Sequence, residues 1–233
     1  MGKVNELTCE KRSYSKEFTL HQHDFGQFLF PLQGSLDMEM AFQEVTLSPN
    51  QCFYLPPGVN HNYRSRDRNE FLILDIPTQY LPRGTSSMYM TLDSQWSAIR
   101  YLLLEEAKNS VDQSALVDLT RYVTKKLQTS NPPSIDYIHQ HFKDPIKLET
   151  LAAIEHYHPV YYSTWFKKQT GKSVKDYLSE LRLNEAKRLL ISTTRSMSQI
   201  SEEIGFANSS SFTRWFVSHE SMSPQKYRIL NNR

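Results

Sequence analysis

Cysteine is scarce. In 233 residues only Cys9 and Cys52 occur, too few for a disulfide framework, which fits a reducing cytoplasm. Long apolar runs are missing as well, so no stretch has the length and hydropathy of a membrane span. The amino terminus is too polar for a secretory signal, and Glu6 stands where myristoylation after Met1-Gly2 needs Ser or Thr. An excess of one charge sign is also absent: 27 basic residues against 25 acidic ones leave a formal +2, no global signal for a polyanionic partner. The distribution is uneven all the same. The first 133 residues hold 13 Lys and Arg against 15 Asp and Glu, net −2, and the last hundred hold 14 against 10, net +4. That asymmetry mildly favours a nucleic-acid surface in the C-terminal part. The length suits two modest domains, each able to bury a core of its own.

What is present is organised around Ser196–Tyr227. Ile200 and Ile204 stand four apart and lead into Gly205-Phe206; after a polar gap, Phe212 and Phe216 repeat the spacing. Two short amphipathic helices about a glycine turn make a helix-turn-helix. On the second helix Phe212, Trp215 and Phe216 face inward, and Ser209, Ser210, Thr213 and Arg214 share the other face. A helix with a packed back and a short polar front is shaped for the major groove of DNA. The pattern occurs twice. Tyr162-Ser163-Thr164-Trp165-Phe166 recurs as Phe212-Thr213-Arg214-Trp215-Phe216, and Ser173 with Tyr177 recurs as Ser223 with Tyr227. Such a repeat marks a duplicated supersecondary unit.

Residues from about 135 to 230 resemble the double helix-turn-helix domain of the AraC/XylS family of bacterial transcription regulators. The matching residues are Leu151-Ala152, Phe166, Gly171, Arg182-Leu183, Ala186, Leu189-Leu190, Ile200, Gly205-Phe206, Phe212, Arg214, Phe216, Ser223-Pro224 and Tyr227-Arg228. The resemblance implies an operator on double-stranded DNA and RNA polymerase as a possible further partner. The expected groove-facing residues are Val160, Ser163, Thr164, Lys167 and Lys168 in the first unit and Ser209, Ser210, Thr213 and Arg214 in the second. Arg214 alone can make a bidentate guanine contact. Lys172, Lys226 and Arg228 are further candidates for phosphate contacts, and Arg182 for a structural role. Several positions depart from the family: His156 replaces the turn glycine, His158-Pro159 the serine cap, and Thr164 a commonly basic residue. Ser201 stands for alanine and Ser221 for the glycine before Ser223-Pro224.

Ahead of this domain, from Phe18 to Ile76, the chain is strand-like, with aromatic and aliphatic runs at Gln27–Leu32, Leu36–Phe42, Gln51–Leu55 and Glu70–Ile76. Turns at Gly34, Ser48-Pro49-Asn50 and Pro56-Pro57-Gly58 separate them, which predicts a sandwich or small barrel. His21-x-His23 puts two imidazoles on one strand face, Gln27 follows with the same parity, and Pro56-Pro57-Gly58-Val59-Asn60-His61 comes later. These motifs resemble the cupin barrel, in which three histidines and an acid bind one divalent metal. Carried over, the ligands are His21, His23, Gln27 and His61, with an amide in place of the acid, and they suit Zn, Ni, Fe or Cu. The other reading is a metal-free barrel whose lining senses an organic effector. Phe25, Phe28, Phe30, Tyr54 and Tyr63 line such a pocket or form plain core.

Asp93 caps a helix with Trp96, Ile99, Leu102, Leu103 and Ala107 on one face; Leu116, Leu119, Val123 and Leu127 mark a second. This pair either packs within the chain or pairs two subunits. The domain plan is therefore a cupin-like sensor over 1–92, a helical pair over 93–128, a proline-containing linker over 129–134 and the double helix-turn-helix over 135–233, an α+β two-domain architecture. The expected function is that of a cytoplasmic, homodimeric, sequence-specific transcription regulator controlled by a metal or small molecule, not an enzyme. The alternative is a cupin dioxygenase or isomerase with an appended DNA-binding domain.

Overall fold

A computed structural model of the chain describes residues 6–81, 88–108 and 113–231; the expected outer domain limits, residues 1 and 233, lie outside them. The chain divides into two compact units, one of Met1–Pro133 with Glu155–His158, the other of Ser134–Ile154 with Pro159–Arg233.

The first unit is built on antiparallel strands: β1 (Thr8–Arg12), β2 (Thr19–His21), β3 (Gly26–Gln33), β4 (Leu36–Met40), β5 (Gln43–Leu47), β6 (Gln51–Leu55), β7 (His61–Arg64), β8 (Glu70–Ile76) and β9 (Met88–Thr91). They form a five-stranded sheet in the order β1-β8-β3-β6-β9 and a four-stranded sheet in the order β2-β7-β4-β5. The side-chain period of two divides the strands' residues between two cores. Leu29, Phe53, Phe71 and Ile73 meet Leu36, Met38, Val45, Leu47 and Tyr63 in the space between the sheets. The alternate residues Phe28, Phe30, Tyr54, Leu72 and Leu74 point out of the opposite face of the larger sheet. That face is covered by α1 (Ser94–Glu106) and α2 (Ser114–Thr129), which bury Trp96, Ile99, Leu103, Leu116, Val123 and Leu127 against it. This explains why β3 and β8 read as continuous apolar runs: both their faces are covered.

Two alternatives left open by the sequence meet an observation here. The helical pair has an intrachain partner, the larger sheet. Phe28, Phe30 and Tyr54 lie on the helix side of that sheet, so they do not line the barrel interior. The Asp93 cap forms as expected, its carboxylate accepting from the Trp96 amide at 2.7 Å.

In the second unit the helices are α3 (Pro133–His141), α4 (Leu148–Ile154), α5 (Pro159–Thr170), α6 (Val174–Ser192), α7 (Met197–Glu203), α8 (Ser209–Glu220) and α9 (Pro224–Asn231). The linker is shorter than expected. Pro132 sits outside helix, but Pro133 is the first residue of α3, a position whose N–H has no intrahelical partner anyway.

The duplication seen in the sequence is physical. Phe166 meets Tyr177 edge-on at 5.5 Å and 88°, and Phe216 meets Tyr227 edge-on at 5.5 Å and 77°. Arg182 donates to the carbonyls of Phe142 (2.7 Å) and Asp144 (3.1 Å); Arg228 donates to those of Leu190 (3.1 Å) and Arg195 (2.7 Å). Each arginine thus ties a helix end and the following loop to its own unit, satisfying carbonyls that a helix terminus leaves unpaired. Ser173 Oγ accepts from the Asp176 amide to open α6, and Ser223 Oγ accepts from the Lys226 amide to open α9. The left-handed positions repeat too: His156 (φ 58°) and Gly205 (φ 84°) in the turns, Gly171 (φ 75°) and Ser221 (φ 55°) after α5 and α8.

Candidate nucleic-acid interface and barrel site

Each recognition helix has one buried face and one open one. On α5, Tyr162, Trp165 and Phe166 are buried, while Val160, Ser163, Thr164, Lys167 and Lys168 are exposed, Val160 by 79%. On α8, Phe212 and Phe216 are buried in a cluster with Ala186, Leu189, Leu190, Ile200 and Ile204. Ser210 and Arg214 are exposed there, and Ser209 and Thr213 are half-buried. Trp215 is half-buried, with Nε1 donating to Ser179 Oγ at 3.1 Å. Among the described residues, Lys167, Lys168 and Arg214 have no carboxylate in ion-pair reach. Their charges are therefore available to a partner.

Other expected contacts fare differently. Arg228 spends its guanidinium on the Leu190 and Arg195 carbonyls, so it is a scaffold residue like Arg182 and not an outward phosphate ligand. Lys172 is paired with Glu180. Lys226 is exposed. Asn208 was not anticipated: its Oδ1 accepts from the Ser211 amide at 2.8 Å and caps α8. An Asn before a run of serines is a recognisable start signal, and it fixes where the outward face begins.

In the barrel, His21 on β2 pairs in register with His61 on β7. The rings of His21 and His61 are 4.1 Å apart, those of His23 and His61 5.0 Å and those of His21 and His23 6.4 Å. His23 and His61 are buried and His21 is exposed. Nδ1 of His23 lies 2.7 Å from the Phe25 carbonyl and Nδ1 of His61 2.8 Å from the Val59 carbonyl. A carbonyl only accepts, so each Nδ1 carries the proton and each Nε2 presents a lone pair. Both Nε2 atoms are buried with no hydrogen-bond partner. Phe25 stacks on His23 at 4.1 Å.

Gln27 is turned elsewhere. Its Nε2 donates to Asp75 Oδ1 at 2.6 Å, and its Oε1 accepts from Tyr63 Oη at 3.0 Å. Asp75 is held in turn by Arg12 Nη2 at 2.5 Å. Among the described residues no group of three or more His, Cys, Asp or Glu has a metal-holding arrangement. The two buried, unpartnered imidazole nitrogens nevertheless have the donor chemistry of a borderline divalent metal site.

Comparison with known proteins agrees with this geometry. Residues 151–229 match the family described as a helix-turn-helix domain and residues 11–77 that described as a cupin domain. The HTH-type transcriptional regulator YobQ of Bacillus subtilis (strain 168) is 47% identical over 232 residues, 98% of this chain and 96% of that protein. This chain is an AraC-type transcription regulator. The probable transcriptional regulator LumQ of Photobacterium leiognathi is 27% identical, covering 92% of this chain and 94% of that one. The DNA-binding domain of AdpA, solved on a target DNA, is 24% identical with a TM-score of 0.40 over 42% of this chain and 87% of that one.

As an AraC-type regulator the chain keeps its turn geometry despite its departures from the family. His156 and Ser221 take the left-handed conformation that glycine adopts more easily. Among the described residues no helix is long and apolar enough to cross a membrane. In the cupin part, burial pulls the His61 imidazole down to about 3 and that of His23 below its ordinary value. Unfolded imidazoles take up a proton near their usual pKa of ~6.5 that the folded barrel refuses. Stability is therefore full above that value and falls as pH drops below it, toward the folded pKa. At pH 5 His61 alone should account for about 2 kcal/mol. Urea unfolding of chelator-treated protein at pH 7 and pH 5 measures this. His61→Asn should lose that share of the pH dependence, and an unchanged profile would refute the assignment.

Proposed function

We propose that this transcription regulator is a cytoplasmic homodimer without a catalytic step, and that the histidine end of its barrel is the effector site. On this reading Val160, Ser163, Thr164, Lys167 and Lys168 of α5 and Ser209, Ser210, Thr213 and Arg214 of α8 enter successive major grooves of the operator. The observation that carries the reading is the matched pair of recognition helices, each packed behind and open in front. Between them runs α6, with 19 residues. At ~1.5 Å per residue it spans about 28 Å, close to the ~34 Å of one duplex turn.

The effector is a divalent metal, Zn, Ni, Fe or Cu, held through the Nε2 atoms of His23 and His61, with His21 beside them and Gln27 behind. An organic molecule presenting hydrogen-bond donors to the same lone pairs is the competing occupant. A bound metal would supply a positive charge that fixes both rings; the protein's part is to keep both Nδ1 protons on backbone carbonyls. Occupancy would then bias how the protein engages DNA and, through it, RNA polymerase. The test is elemental analysis of the purified chain, followed by operator titration with and without each metal. One ion per chain is expected, lost in His23→Ala and His61→Ala, with operator affinity shifting by about 5- to 150-fold on loading. Equal operator affinity with and without every metal would remove metal control.

A further inference from the structure

The duplication allows the two DNA-facing surfaces to be compared position by position, because α5 and α8 stand fifty residues apart in matched frames. A cleft of about 540 Å³ runs along the open face of α5 and the start of α6, lined by Ser163, Thr164, Lys167, Lys168, Ser173 and Lys175. Lys167, Lys168 and Lys175 are exposed, and among the described residues none has a carboxylate in ion-pair reach. Lys175 lies outside the recognition helix and escaped the motif reading.

In the second unit the same frame puts Val217 in place of Lys167, Ser218 in place of Lys168 and Gln225 in place of Lys175. The exchange runs the other way at Thr164, which corresponds to Arg214 of the second recognition helix, and at Asp176, which corresponds to the exposed Lys226. The first unit thus carries three such lysines against one in the second, and the second has the one arginine on a recognition helix. Three flexible point charges suit phosphates and carry no sequence information. One planar guanidinium on a recognition helix suits the paired acceptors of guanine.

We infer that the two helix-turn-helix units divide the work on DNA: the first is a phosphate clamp through Lys167, Lys168 and Lys175, and the second reads bases through Arg214. This rests on the DNA-binding reading above and adds to it which half supplies affinity and which supplies discrimination.

The test uses the full chain and two probes: a duplex selected from a randomised pool by the wild-type protein, and a scrambled duplex of the same length and composition. Affinities are measured across a salt series. The Lys167→Gln/Lys168→Gln/Lys175→Gln variant should lose on the order of 10²-fold on both duplexes alike at 0.1 M salt. Its log–log salt slope should fall by roughly 2 to 3. Replacing the same three lysines by arginine should restore both affinity and slope, which separates lost charge from lost fold. Arg214→Gln should cut the preference for the selected duplex about 5- to 150-fold. A triple-Gln variant that loses discrimination while keeping its slope, or an Arg214→Gln variant that keeps its discrimination, overturns the division of labour and leaves DNA binding standing. Failure of the wild type to prefer any duplex overturns the DNA-binding reading itself.

Discussion

Replacing Gly205 by Ala should cost the helix-turn-helix unit about 2–5 kcal/mol, enough to unfold it or nearly so. Two causes add. Gly205 sits at φ +84°, where an L side chain costs roughly 1–2 kcal/mol. A Cβ there would also lie 1.9 Å from the Lys143 carbonyl oxygen and 2.9 Å from its carbon. That obstacle is backbone and cannot swing aside. The carbonyls on either side of Lys143, those of Phe142 and Asp144, are both held by Arg182. Relief would need the α3–α4 loop to move and that bracket to break, an overpacking cost of about 1–3 kcal/mol. Gly171 provides the contrast. It shares the left-handed conformation, φ +75°, but nothing lies within 4 Å of its Cβ position, so Gly171→Ala should show the conformational part alone, about 1–2 kcal/mol. Urea unfolding followed at 222 nm would compare them. Equal losses for the two variants would mean that the close approach to Lys143 carries no weight.

The same pair of arginines shows how much of the second unit was legible in the sequence. Apolar residues at i, i+4 and their recurrence about fifty residues on give both turns and both recognition helices, because helical periodicity is a local signal. Arg182 was read as structural, yet Arg228 was read as a phosphate ligand. The fifty-residue register sets Arg228 opposite Leu178, so the repeat does not pair the two arginines; their likeness lies in the carbonyls each one meets, 38–40 residues away in the chain for Arg182 and 33–38 for Arg228. No local pattern reports such contacts.

The barrel shows the same boundary between local and distant information. The His-x-His and Pro-x-Gly-x-x-His spacings located the histidine cluster, and β8 came out with the expected limits. The sequence leaves Phe28, Phe30 and Tyr54 between pocket lining and plain core, and the structure has all three in core; parity alone decides it for two of them, since Gln27 and Leu29 share the inner face and Phe28 and Phe30 must point the other way. The direction of Gln27 was not readable at all. It is set by Asp75, its cross-strand neighbour on β8, 48 residues away. β5 alternates in burial, but its buried positions open on the polar Gln43, which hides the pattern in the sequence, and β9 has only four residues.

That cross-strand pair leads to the second large effect: Asp75→Leu should destabilise the first unit by about 2–4 kcal/mol. The residue is 1% exposed, and its two oxygens are engaged by Gln27 at 2.6 Å and Arg12 at 2.5 Å. Removing it strips a charge partner from Arg12 and an acceptor from Gln27 Nε2, leaving that amide hydrogen buried with nothing to meet it. Breaking a fully buried pair costs about 3–5 kcal/mol. The figure here is lower because the Arg12 side chain keeps 32% of its surface exposed and a second partner in Glu10. Asp75→Asn preserves an acceptor for Gln27 and should lose about half as much. The decisive variant is the double one, Arg12→Met with Asp75→Leu. If the cost of the single change is the stranded guanidinium and not lost packing, taking away the guanidinium as well should recover part of the stability, since a paired charge replaced by apolar groups of similar size is often close to neutral. A double variant whose loss equals the sum of the two single losses would show that the two side chains act independently, and the polar chain from Tyr63 through Gln27 and Asp75 to Arg12 would then be an array of neighbours without coupling.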